Sequence, residues 1–131
     1  MKPNLLKLSA LAATLVAIPG VAFSHHGTAA YDTKQTAVLK GTITNFQFQN
    51  PHVLVTFSVM GEKGNPEQWT GEVTTPSQLA REGGWTKNSL KPGDHVTVTG
   101  NPSKNGTHTM IIKDILKADG TDLRVGGARP E

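Results

Sequence analysis

The adjacent histidines His25 and His26, and a third at the corner Asn50-Pro51-His52, are the residues whose types and spacing point most directly to chemistry. Neutral imidazole nitrogen is a metal ligand, and a histidine that is also a chain terminus brings a second donor. Its α-amine has an unperturbed pKa of about 7.7–8.0, so a metal displaces a weakly held proton and closes a chelate ring with Nδ1. A cut after Ser24 would make His25 such a terminus. Nitrogen donors of this kind in an oxidising compartment favour copper(II), at the top of the divalent affinity order. The expected metal set is therefore His25, His26 and His52, with copper as the expected cofactor. In the competing reading His25 and His26 form an exposed polar arm and His52 only caps its corner.

His108 and Met110 share a phase and Met60 closes an earlier run, which would allow a thioether copper(I) site; core filling is the competing role of the methionines. His95 reads as a solvated strand residue. Nucleophilic catalysis has little to stand on. The chain has no cysteine, no Gly-x-Ser-x-Gly elbow and no paired carboxylates in an apolar setting, so an enzyme is not expected.

The first 24 of the 131 residues read as a leader. Met1–Lys7 holds Lys2 and Lys7 without an acid, Leu8–Phe23 is apolar or small, and Ala22-Phe23-Ser24 places small side chains three and one before a cut. That is the pattern of a secretory signal peptide. An uncleaved anchor would need roughly 18–20 unbroken apolar residues, and Pro19-Gly20 interrupts this run. Residues 25–131 then form one domain, with 25–33 as an extended arm and 126–131 as a loose tail. Without Lys2 and Lys7 eleven basic residues face ten acidic ones, a net charge of +1 that calls for no nucleic acid. The expected product is periplasmic, has no membrane span after cleavage, and is held by its core without disulfides.

The histidine corner sits between two apolar runs. Leu39, Gly41 and Ile43 keep one phase and Phe46 and Phe48 the other, so a bulge near Thr44-Asn45 must absorb one residue. Val53, Val55, Phe57 and Val59 hold strict period two. Proline cannot donate to a central ladder, so Lys34–Gln49 and His52–Met60 read as a hairpin with His52 at its tip. Glu67–Thr74 follows as a third strand with Trp69, Gly71 and Val73 on its inner face.

Thr75-Pro76-Ser77-Gln78 combines an N-cap, a first-turn proline and a capping-box glutamine, and Gly83-Gly84 ends a short helix over Pro76–Glu82. Strands at His95–Gly100, Thr107–Leu116 and Thr121–Val125 complete the chain. Trp69 and Trp85 are the expected aromatic anchors; Phe46 and Phe48 read as core in preference to a base-stacking platform. The order predicts an all-β chain: a small five- to six-stranded OB-fold-like barrel with one short helix between strands 3 and 4.

His25-His26, Tyr31-Asp32, Leu39-Lys40-Gly41-Thr42, Asn50-Pro51-His52, Trp69, Gly84-Trp85 and Ser89-Leu90-Lys91-Pro92-Gly93-Asp94 together resemble the small exported bacterial proteins of domain of unknown function 6152. The resemblance spans nearly all of residues 25–131, with Gly27 where serine is usual after the histidine pair. It implies a periplasmic barrel-like domain and no assigned activity. Two functions stay open: a periplasmic copper-binding protein, and a metal-free OB-fold interaction module that holds a peptide, glycan or partner protein against its barrel face.

Overall fold

A computed structural model describes residues 28–126. Residues 1–27, on which the expected leader, His25 and His26 fall, and the last five residues lie outside that range. A 3-10 turn at Thr28–Ala30 precedes β1 (Ala37–Gln47), β2 (Leu54–Met60), β3 (Pro66–Glu72), α1 (Pro76–Gly83), β4 (His95–Pro102), β5 (Thr109–Lys117) and β6 (Asp122–Arg124).

The phase change in β1 is resolved as expected. Ile43 pairs with Phe57 and Asn45 with Thr56, leaving Thr44 as the extra residue of a bulge. The bulge lets Ile43 and Phe46 both turn inward although they are three apart. β2 then buries Val55 and Phe57 completely, with Val53 just ahead of it. The strand ends are shorter than the alternation predicts: β1 begins at Ala37 and β2 at Leu54, so His52 belongs to the corner, beside a cis Asn50–Pro51 bond.

β1 lies between β2 and β4, β5 follows β4, and β3 meets β5 in parallel through Thr70–Thr109, Gly71–Met110 and Glu72–Ile111. This parallel contact closes five strands into a barrel, the OB-fold arrangement, while β6 pairs with β5 outside it. Two close approaches require glycine. A Cβ on Gly71 would come within 2.2 Å of Ile112 Cδ1, and one on Gly100 within 2.0 Å of the Ile111 carbonyl oxygen. Gly100 sits where the β4–β5 register shifts, so backbone closeness there is part of how the barrel bends.

The helix is capped as its sequence predicts at the first residue and the last. Thr75 Oγ1 accepts from the Gln78 N–H at 3.3 Å, and Gly84, at φ 67°, donates to the Ala80 carbonyl. The capping box is not reciprocal: Gln78 Oε1 accepts from Thr74 Oγ1 at 2.7 Å and its Nε2 donates to Glu82. Leu79 drops from α1 into the core beside Val73, Trp85 and Leu90. Trp85 is the expected anchor, buried and donating from Nε1 to the Arg124 carbonyl at 2.9 Å. Trp69 is only half-buried, and Phe46 and Phe48 lie partly exposed against the core with their ring centroids 5.9 Å apart.

Candidate functional site

OB barrels bind ligands on the face of their second and third strands, between the loop joining strands 1 and 2 and the loop joining strands 4 and 5. Three polar side chains converge on that face here. Alternation along β3 turns Gln68, Thr70 and Glu72 outward, and Glu72 stands opposite Leu54 at the start of β2. One residue group comes from each flanking segment. His52, on the β1–β2 corner, bonds through Nδ1 to Glu72 Oε1. Tyr31, in the arm, donates its hydroxyl to Glu72 Oε2 at 3.4 Å.

The arm is held by its backbone. Tyr31 forms an isolated bridge with Ser103, the Asp32 N–H donates to the Pro102 carbonyl at 2.8 Å, and the Lys104 N–H donates to the Ala30 carbonyl at 3.0 Å. The arm is therefore docked along the β4–β5 turn, and its Thr28–Ala30 part is a tight turn where an extended segment was expected. The Tyr31 ring is buried by this docking. Burial pushes its hydroxyl pKa above the ordinary tyrosine range, and the charge and hydrogen bond of Glu72 push it the same way.

Facing a carboxylate, His52 Nδ1 is placed to donate, and Nε2 is the ring nitrogen left for another partner. The His52 side chain is 44 % exposed, which leaves room at the ring for an incoming ligand. Among the described residues no group of three or more His, Cys, Asp and Glu side chains is placed to hold a metal ion. His52 and Glu72 are thus a pair, and His25 and His26, the other expected ligands, lie outside the described residues.

A family model of unknown function, DUF6152, matches residues 12–112, most of the chain. The chain belongs to this family. No curated protein matches this DUF6152 member. Among solved structures it is similar to the mitochondrial single-stranded DNA binding protein Rim1 from S. cerevisiae, with 13% sequence identity and a TM-score of 0.47 over 73% of this chain and 98% of that one.

The remaining histidines of the DUF6152 domain do not join this cluster. His95 is exposed and its Nδ1 lies 3.2 Å from Thr42 Oγ1. His108 stacks on Trp69, ring centroids 4.9 Å apart and planes 14° from parallel, with Nε2 3.7 Å from Glu67 Oε2. Met110 is enclosed in the core and Met60 is exposed, so the thioethers and His108 do not assemble a soft-metal site. The indole nitrogen of Trp69 is shielded and has no partner among the described residues.

Two members of the cluster, Glu72 and Tyr31, escape a reading of the sequence. Glu72 reads as one of several outward polar residues on a strand, and Tyr31 as part of an extended arm. Their only local signal is that Tyr31 is the one tyrosine in the chain, placed in a polar segment where burial needs a docking surface.

Proposed function

We propose that the chain is an exported periplasmic protein that binds one copper(II) ion. The ligands are the amine and imidazole of a mature terminus at His25, together with His52 Nε2; His26 is available as a further donor. The observation that carries this reading is the His52–Glu72 pair. A metal-binding histidine almost always donates its other ring N–H to a carboxylate, which fixes the ring and raises its basicity. His52 has that partner, and its second ring nitrogen belongs to a side chain that is substantially exposed.

The arm supports the same reading. Tyr31 is bound to the carboxylate that holds His52. Six Cα steps join His25 to Tyr31, at most about 22 Å if fully extended and less through the turn at Thr28–Ala30, a length that allows a mature terminus to meet the His52 ring. Glu72 adds negative charge beside the metal position, which favours a cation and opposes a phosphate backbone on this face. The copper-free interaction module on the same face has no comparable feature in its favour.

The test is a copper(II) titration of three proteins: one beginning at His25, one with a single residue added before it, and His52→Ala. A ligand that binds only the folded state stabilises by RT ln(1 + [L]/Kd), about 2.7 kcal/mol at a hundredfold excess over Kd. The protein beginning at His25 should gain that stabilisation, the extended one should lose most of it, and His52→Ala should weaken it. Equal affinity in all three would refute the site. Mass analysis of the exported protein should find His25 at its terminus.

A further inference from the structure

A second surface, sharing no residue with the His52–Glu72 pair, lies on the outside of the barrel. Lys40 on β1 stands opposite Thr97 on β4, and Thr97 opposite Leu116 on β5. Because Gly41 pairs with Val59, the antiparallel ladder carries Met60 on β2 to the other flank of Lys40. The row Met60, Lys40, Thr97, Leu116 therefore crosses four strands. Met60 is 68% exposed and Leu116 44%, two of the three large apolar side chains most exposed among the described residues.

The row floors a groove of about 640 Å³ whose wall also includes Pro66, His95 and Lys117. Its ionisable lining residues are Lys40, His95 and Lys117; no Asp, Glu, Phe, Tyr or Trp lines it. The Lys117 ammonium is shared with Asp94 at 3.6 Å and Asp119 at 3.9 Å, both outside the lining. Lys40 makes no ion pair with any described residue. The groove thus joins exposed apolar side chains to a basic centre that the fold itself does not neutralise.

We propose that this groove docks an extended acidic segment of a protein partner, with a carboxylate on Lys40 and apolar side chains on Met60 and Leu116. The dimensions fit. Three inter-strand steps of about 4.8 Å span roughly 14 Å, the length of about four extended residues at 3.3 Å each. Single-stranded nucleic acid would need a run of aromatic rings for successive bases to stack on, and the His95 imidazole is the single aromatic ring in this wall. A concave groove also presents less apolar surface to a flat bilayer than to a narrow strand.

The experiment is a titration of the isotopically labelled protein, followed by amide NMR shifts, with the blocked peptide Glu-Leu-Glu-Leu-Glu. Its counterpart with glutamine at each glutamate, phosphatidylglycerol vesicles and an oligothymidylate serve as competing probes. Shifts should concentrate on Lys40, Met60, Thr97 and Leu116, weaken with salt, and fall by roughly fivefold in affinity with Lys40→Glu, an exposed substitution that leaves the core intact. Met60→Ser should weaken binding as well. Equal binding of the glutamine peptide, shifts confined to other faces, or binding of vesicles or oligothymidylate with the acidic peptide inert would each overturn the proposal. Metal plays no part in this titration, so its outcome is independent of copper binding.

Discussion

Tyr31 and Glu72, 41 positions apart, meet through a hydroxyl-to-carboxylate bond of 3.4 Å, and the same carboxylate holds His52 on its other oxygen. One acidic side chain on β3 thereby ties the arm to the β1–β2 corner. The arm's hold on the barrel and the aim of the His52 ring are coupled through it.

Glu72→Gln keeps the shape and removes the charge. The amide is a weaker acceptor than the carboxylate and can turn its nitrogen toward His52, so the ring loses its fixed orientation. Copper(II) affinity should fall about 10- to 100-fold, the usual effect of removing such a partner, with a small change in melting midpoint. Calorimetric titration beside thermal unfolding separates the two effects; a large loss of stability with unchanged affinity would make Glu72 purely structural.

Tyr31 gives the barrel a defined alkaline response. Its folded-state pKa is raised, so above the unfolded value near 10 the unfolded chain gives up this proton before the folded one does. The folded state then binds more protons, and stability falls as pH rises from about 10 through the raised folded-state pKa. Below that window the contribution is fully present. Tyr31→Phe should flatten this part of the pH–stability curve and cost about 0.5–1.5 kcal/mol at neutral pH for the lost hydrogen bond. Urea unfolding at pH 8 to 11.5 measures both.

Trp85→Ala should destabilise by about 3–5 kcal/mol, a large part of the 5–15 kcal/mol typical of a domain. It empties a buried indole site and leaves the Arg124 carbonyl without its donor. Trp69→Ala should cost clearly less, since that ring is half-buried and its nitrogen makes no bond to a described residue. Denaturant midpoints of the two variants should fall in that order.

Gly100→Ala should be among the most damaging single-methyl changes in the chain. The new Cβ would sit 2.0 Å from the Ile111 carbonyl oxygen, a backbone atom that moves only by opening the β4–β5 ladder. Gly71→Ala meets the end of the Ile112 side chain at 2.2 Å, which has somewhat more freedom. Circular dichroism should show a lower melting midpoint for Gly100→Ala than for Gly71→Ala.

The elements themselves were legible in the residues. Alternation in Val53, Val55 and Phe57 reports burial of one strand face, and the phase change between Ile43 and Phe46 demands a bulge wherever the strand lies. Thr75, Pro76 and Gly84 mark helix ends because capping is satisfied within a turn of chain. These signals act over a few residues, so they can be read without knowing the fold.

Tertiary structure alone decided which polar side chains meet. Gln68, Thr70 and Glu72 are equivalent by alternation, and only the register of β3 on β2, with the docking of Tyr31 against Ser103, singles out Glu72 as the partner of His52. In the same way Met60, Lys40 and Leu116 belong to three separate strands and become one surface through ladder register. Sequence periodicity specifies the face a residue occupies, whereas its neighbours on that face depend on how far each strand slides past the next. That offset is set by the β1 bulge, the close approach at Gly100 and the parallel closure of β3 on β5, and each of these takes effect only when distant segments pack together.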